Sequence, residues 1–374
     1  MRSLANIYRL GVKELWGLAR EPVLIGLIIY VFTFSIYTAA TAVPDSIHKA
    51  SLAFVDEDIS PLSLQIQSSF YPPMFLTPEH IERSDIDIAM DRGDYTFIVN
   101  IPPNFQRDVL RGVQPGLQLN VDATRMSQAF VGSGYISQIA LDEITQFTKR
   151  YREVVEYPVD LSLRARFNPN LTQSWFGAVV QIINQVTSLS IILTGAAFIR
   201  EREHGTIEHL LAMPVTPLEI MVSKIWSMGL VVLFSTAVSL VLVVQIAMQV
   251  PIEGSRALFL CGAALHLFAA TSLGILLATI ARSMPQFGML LLLVLLPMQM
   301  LSGGSTPREN MPEIIQYIML LAPTTHFVAL GQSIIFKGAG LGIVWKSFAA
   351  LFATGSVCFL ISLSRFRETL SRLA

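Results

Sequence analysis

Residues Arg200–Lys224, REREHGTIEHLLAMPVTPLEIMVSK, form a polar island between two long apolar runs, Trp175–Ile199 behind it and Ile225–Val250 ahead. Crossing a bilayer takes roughly 20 apolar residues, and each run is long enough. The island is therefore confined to one membrane face, and it is too short to be a domain. Its periodicity predicts a helix beginning near Gly205–Thr206, with Ile207, Leu210 and Leu211 on one side and Glu208 and His209 on the other. Met213-Pro214 stops that helix, because proline lacks the interior donor and restricts the residue before it. Thr216-Pro217 starts a second helix, with Thr as N-cap and Pro at the first position. A short charged elbow tied to two spans is suited to passing a push from outside the membrane into them.

The run Glu201-Arg202-Glu203-His204-Gly205-Thr206-Ile207-Glu208-His209-Leu210-Leu211, then Met213-Pro214-Val215, then Glu219-Ile220 and Lys224, resembles the signature of ABC-2 permeases, the membrane subunits of one class of ATP-binding-cassette exporters. In that family the segment is the cytoplasmic coupling element that docks on the ATPase subunit. The resemblance implies that role for Glu201, Arg202, Glu203, His204, Gly205, Thr206, Glu208, Leu210, Met213 and Pro214. It extends over nearly the whole chain, firmest from Trp175 to Phe336.

Composition agrees with a membrane location. Of 374 residues, 52% are hydrophobic and 14% charged, against about 25% charged in soluble domains. The net charge of −1 says nothing about partners, because the charges are segregated along the chain. Cys261 and Cys358 both sit in apolar runs, so neither a disulfide framework nor a cysteine-rich metal site is indicated.

Residues 1–22 read as an amphipathic interfacial helix, Leu4, Ile7, Tyr8, Gly11, Leu15 and Leu18 recurring at helical spacing opposite Arg2, Asn6, Arg9 and Lys13. Pro22 opens the first span, 23–43. Ala40-Thr41-Ala42 imitates a signal-peptidase site, but the leader and the apolar core are too long for one, so an uncleaved anchor is expected. Residues 44–174 have ordinary polarity and read as one exported α/β domain. Its expected strands are Leu52–Val55, Tyr95–Ile101, Leu117–Val121 and Val159–Phe167. Its expected helices are Pro61–Phe70, Ser84–Met90, Asn104–Arg111 (capped by Asn104) and Thr124–Arg152. Asp56, Glu57 and Asp58 could suggest a cation site, but a solvated turn is the better reading. The acidic set Asp85, Asp87, Asp91 and Asp94 reads as an exposed face.

The remainder, 175–374, reads as five further spans: 175–199, 225–250, 257–281, 286–301 and 343–363. In the second span Gln181, Asn184, Gln185 and Ser188 fall on one helical stripe. Amides are costly against lipid, so this stripe lines a translocation path or a dimer seam, or it makes interhelical hydrogen bonds. His266 in the fourth span invites a proton relay, but no intramembrane acid or base accompanies it, and a hydrogen-bonded His is the simpler reading. Residues 302–342 are neither span nor ordinary loop: a turn-rich start, then two half-length apolar helices split at Ala322-Pro323. Such a pattern suits an outer re-entrant hairpin. The family carries a similar run capping its transport path, which implies that role for Gly303, Gly304, Pro307, Met311, Pro312 and Pro323.

Positive charge checks the arrangement. Arg2, Arg9, Lys13, Arg20, Arg200, Arg202, Lys224, Arg282, Arg365, Arg367 and Arg372 fall on the inner side, against Arg256, Arg308, Lys337 and Lys346 in short outer segments. The fold class expected is thus a polytopic α-helical membrane protein of about six spans, both termini cytoplasmic, with an exported α/β domain between the first and second. No GxxxxGK[ST] phosphate loop occurs, so ATP and Mg are expected on a partner ATPase and no cofactor or metal on this chain; Glu201-x-x-His204 lacks the second copy a di-metal site would need. Expected partners are that ATPase, a second permease subunit, the lipid bilayer and a periplasmic adaptor protein, with no nucleic acid. The location implied is a bacterial inner membrane. Two other classes fit parts of the pattern. A membrane sensor would need an output domain after the last span, and a secondary transporter would show inverted repeats and intramembrane ion-coupling residues.

Overall fold

The computed structural model describes residues 2–42, 49–122, 126–151, 173–203, 215–306 and 308–371. The predicted strand Val159–Phe167, the predicted helix from Gly205, and Pro307 lie outside them. In chain order, α1 (Arg2–Ala19) is followed by α2 (Pro22–Thr41), whose middle, Val31–Ser35, is wound as a π-helix. Pro22 occupies the first position of α2, where its missing N–H costs nothing.

The chain then divides into two compact units, Val43–Arg164 and the remainder. The first contains β1 (Leu52–Asp56), α3 (Pro61–Ser68), β2 (Glu79–His80), α4 (Ile86–Arg92), β3 (Phe97–Ile101), α5 (Phe105–Arg111), β4 (Gln118–Val121) and α6 (Met126–Tyr151). Its sheet runs β2-β1-β3-β4, with β1 parallel to both β2 and β3, and β4 antiparallel to β3. Both faces are covered. Leu52, Phe54, Phe97, Val99 and Ile101 pack with α3, α5 and α6, while Ala53, Val55 and Ile98 meet α4. That is why β3 is buried along its whole length instead of alternately.

Three expectations change here. Asn104 does not cap α5 through its side chain; it takes a left-handed backbone conformation (φ +65°), which asparagine tolerates better than most residues. The strand β2 was not anticipated. The acidic turn is structural: Asp56 accepts from Asp58 N, Ile59 N, Ser63 Oγ and Gln67 Nε2 at 2.7–3.0 Å.

The second unit continues with α7 (Gln173–Glu203), α8 (Pro217–Ala247, its last turns again π), α9 (Arg256–Ile280), α10 (Met284–Met300), α11 (Glu313–Met319), α12 (Pro323–Ile335) and α13 (Leu341–Ser371). Among the described residues, five helices (α2, α7, α8, α9 and α13) are long and apolar enough to cross a membrane. The 17 residues of α10 would span roughly 26 Å at 1.5 Å each, a little short of the hydrocarbon core. Pro297 lies inside this helix. The axes of α11 and α12 meet at 87° across Leu320–Ala322, so the two half-length helices form a sharp corner and not one straight rod. Helix α8 begins eight residues before the predicted third span because the capped start at Thr216 runs on into it without a break.

The helical unit is apolar outside and partly polar within. Phe34, Leu230, Phe234, Met289, Leu293, Phe352 and Leu360 are all more than half exposed, whereas Thr187, Ser190, Ser227, Thr236, His266, Thr271, Ser272 and Ser362 are buried. So much apolar surface on a soluble protein would drive association; on helices of this length it is a lipid-facing surface. The buried hydroxyls mostly bond back to the carbonyl four residues earlier, as for Thr187 to Ile183 and Thr271 to Leu267. The central helix is α9, which packs on α7, α8, α10, α12 and α13. It approaches α7 closely at Gly274, where an added Cβ would lie 2.8 Å from the Ile191 carbonyl oxygen.

Candidate functional site

The last turn of α7 carries four consecutive charged residues, Arg200-Glu201-Arg202-Glu203, directly before residue 204. Successive side chains on a helix turn by about 100°, so four in a row point to every side. Each finds a different neighbour. Arg200 pairs with Glu21, the residue that precedes α2. Glu201 Oε1 meets Lys224 Nζ of α8 at 2.9 Å. Arg202 donates to the carbonyls of Ala278 and Ala281 at the C-terminus of α9, where a cation satisfies unpaired carbonyls and the negative end of the helix dipole. Glu203 Oε1 accepts from Met284 N at 2.8 Å. It caps α10 from outside, since that helix's own N-cap, Ser283, makes no side-chain bond.

The first turn of α8 answers from the other limb. Thr216 and Glu219 form a capping box, Thr216 N donating to Glu219 Oε2 at 2.7 Å and Glu219 N to Thr216 Oγ1 at 3.3 Å. Glu219 also takes hydrogen bonds from Ser3 and Asn6 of α1. Lys224 is only 1% exposed and lies between two carboxylates, Glu201 and, at 3.0 Å, Glu14 of α1. The sequence reading counted Lys224 among the inner-surface cations. The fold instead buries it, and a buried lysine needs such partners to stay charged. Two residues on, Trp226 Nε1 donates to the Ile7 carbonyl, and its ring stacks on Tyr8. Gly11 makes room for this ring: a Cβ there would sit 2.1 Å from Trp226 Cζ2.

One cluster therefore ties α1, α2, α7, α8, α9 and α10 together at the two ends of the elbow. Of the residues assigned to coupling, Glu201, Arg202 and Glu203 are in this cluster and engage the protein's own helices. His204, Gly205, Thr206, Glu208, Leu210, Met213 and Pro214 lie outside the described residues. The sequence reading named Lys224 in the signature but not its ion pairs, and it did not anticipate Glu14 or Glu21. The signal for those two was the unusual presence of carboxylates in an otherwise basic amphipathic helix and its exit.

Midway along α7 the polar stripe divides. Gln185 Nε2 donates to Ser35 Oγ of α2 at 3.2 Å, and Gln299 Nε2 of α10 donates to Ser188 Oγ at 2.7 Å. Gln181 and Asn184 are half-buried, and Asn184 Oδ1 has no partner among the described residues. His266 is wholly buried, 2.8 Å from Thr187 Oγ1 and stacked on Phe327. At the far end of α7 the loop before α11 turns at Gly303 (φ +92°) and passes so close to α7 that a Cβ on Gly304 would lie 2.7 Å from Val180. Met311 is buried, Pro312 precedes α11, and Pro323 begins α12. Among the described residues no group of His, Cys, Asp and Glu could hold a metal ion.

Comparison with known proteins places this geometry in context. Residues 22–364 match the family model described as ABC-2 family transporter protein. The chain is 58% identical over its full length, and the full length of the relative, to the Inner membrane transport permease YhhJ of Escherichia coli (strain K12). It is 28% identical, over 95% of this chain and 97% of the relative, to the Probable multidrug ABC transporter permease YbhR of the same organism. A more distant likeness, 26% identity over 44% of this chain and 23% of the relative, links it to ABC transporter G family member 20 of Dictyostelium discoideum.

Proposed function

The chain belongs to the ABC-2 family of transporter proteins, and on that basis we propose that it is the permease subunit of an ATP-driven exporter whose nucleotide chemistry is carried by a separate ATPase subunit. The relatives' names support an inner-membrane permease and a multidrug-type cargo. Both termini and the elbow then face the cytoplasm, and the α/β unit lies on the opposite side. A second permease subunit completes the path, and a periplasmic adaptor continues it.

The observation that carries the reading is the ring of contacts made by Arg200–Glu203. A segment pressed by a motor must be connected rigidly to the parts that move. The residues bracketing 204–214 reach four helices and are joined to each other through Lys224. Closure of the ATPase on ATP pushes the segment 204–214. The push leaves through Glu203 to α10, through Arg202 to α9, and through Lys224 to α8 and α1. In this scheme His204–Pro214 make the contact and Glu201–Glu203 distribute the force. Gln181 and Asn184 face the translocation path or the dimer seam, while Gln185 and Ser188 hold α7 to its neighbours. Gly303, Gly304, Pro307, Met311, Pro312 and Pro323 shape the outer cap.

Reconstitution with the partner ATPase tests it. Glu203→Lys puts a cation against the positive end of α10, and Glu208→Lys reverses charge in the docking segment. Each is expected to leave membrane insertion and basal ATP hydrolysis intact while lowering transport per ATP at least tenfold. Wild-type transport in both variants would remove the elbow from the mechanism.

A further inference from the structure

The two halves of α2 treat α7 differently. Towards its C-terminus α2 lies against α7: Ile36 and Ala40 share one core with Ala178 and Ile182, and a Cβ on Gly177 would stand 3.6 Å from Ala40 Cα. Between Pro22 and Tyr30 only Ile28 is buried. Here α2 stands off from α7, and the two meet again at the Arg200–Glu21 ion pair. The gap is a cavity of about 200 Å³, walled by Leu18 of α1, Leu24 of α2, Leu193 and Ala196 of α7, and Met228 of α8. Its charged lining, Lys13, Glu14, Glu21, Arg200 and Glu201, gathers where α7 ends and α2 begins. Leu193 lies two turns deeper than Arg200, roughly 10 Å along the axis. The cavity is therefore itself amphipathic, charged at the membrane surface and apolar below it.

Size and charge select the occupant. Drug-sized ligands need pockets of about 300 Å³ or more, so this one holds only part of a chain whose remainder lies outside. Water suits the deep end poorly, because a buried water needs roughly two or more polar partners. Lipid is adjacent: Val23 and Leu27, next to Leu24, are 82% and 42% exposed. At the rim Arg200 pairs with Glu21, and Lys224 serves both Glu14 and Glu201. That leaves one carboxylate in excess, and Lys13, which makes no ion pair among the described residues, opposite in sign. We propose that this cavity takes one acyl chain of a bilayer phospholipid whose zwitterionic head carries a primary ammonium. Lys13 reaches up to the phosphate, as long cationic side chains do at an interface, and the ammonium donates to the carboxylates. Bound there, the lipid ties α1 and α2 to the end of α7 beside the segment 204–214. The site requires only the membrane location and is independent of what the chain transports.

The full-length chain, reconstituted in phosphatidylcholine nanodiscs, is given phosphatidylethanolamine with a photoreactive diazirine on its acyl chain, and cross-linked peptides are mapped by mass spectrometry. Labelling should concentrate in residues 17–24 and 193–197 and saturate at one lipid per chain. Unlabelled phosphatidylethanolamine should displace it at least fivefold better than phosphatidylglycerol or added phosphatidylcholine, whose heads lack an ammonium N–H. Equal displacement by all three would overturn the head assignment. Lys13→Gln should weaken binding at least threefold. Ala196→Trp and Gly17→Phe both fill the cavity, and a Cβ on Gly17 meets nothing within 4 Å. Each should cut labelling of these peptides at least tenfold while leaving that around Leu293, which is 71% exposed on α10, unchanged. Wild-type labelling in the filled variants overturns the site, and if Ala196→Trp fails to fold, Gly17→Phe decides alone. Unsaturable labelling spread over every lipid-exposed helix would likewise overturn it, leaving a fluid annulus only.

Discussion

Lys224 shows how much one side chain can decide. Desolvating an ammonium group is expensive, and Glu14 and Glu201 offset that cost only while both stay in place. Lys224→Met should destabilise the chain by about 3–5 kcal/mol, because it leaves two carboxylates facing each other out of water. Adding Glu14→Gln and Glu201→Gln should recover most of that loss, since neutral amides of the same shape remain. Thermal unfolding of the purified chain in detergent distinguishes the two outcomes; no recovery in the triple variant would mean the cluster is held by packing instead of charge. At this scale the sequence was only partly legible. Glycine inside a helix ordinarily costs stability, yet a Cβ on Gly132 would lie 2.1 Å from Phe97 Cζ, so the glycine is what lets α6 lie on the sheet. Gly134, two residues on, has nothing within 4 Å. The letters are identical and only the neighbours differ.

Among the elements, α1 changes meaning most. Its periodicity suits a helix resting on lipid, and Leu4, Tyr8 and Trp16 are indeed exposed. Yet Ser3, Asn6, Ile7, Gly11 and Glu14 clamp the opposite flank to α8. It therefore reports on the elbow as much as on the membrane surface. Gly11→Leu should drive the side chain into the Trp226 ring and lift α1 away. Amide hydrogen exchange within residues 2–19 is expected to quicken at least tenfold while exchange in α9 stays unchanged. Equal protection of α1 in the variant would show that the clamp is not needed to hold it. Helices were easier to anticipate than strands because their periodic faces are long. Glu79–His80 could not have been foreseen as β2: two polar residues carry no alternation, and their pairing comes wholly from Ala53 and Phe54.

For the whole molecule, orientation is the prediction with most at stake. With Cys261 and Cys358 replaced by Ala, Glu208→Cys should react with an impermeant maleimide only from the cytoplasmic side of sealed vesicles. Leu64→Cys, exposed on α3, should react only from the opposite side. Labelling of both from one face would contradict an exported α/β unit and the mechanical scheme built on it.

The sequence by itself determined what depends on local averages. Twenty-residue stretches of apolar side chains must leave water wherever they fold, so the long helices and the polar island between two of them could be read directly. Turn chemistry likewise set Thr216-Pro217 as a helix start. Only the tertiary structure decided which charges meet. Lys224 and Glu14 are 210 positions apart, and no window of sequence contains both. The four directions taken by Arg200–Glu203 are equally products of packing. Hydropathy sums over neighbours in the chain, whereas an ion pair or a hydrogen bond depends on neighbours in space.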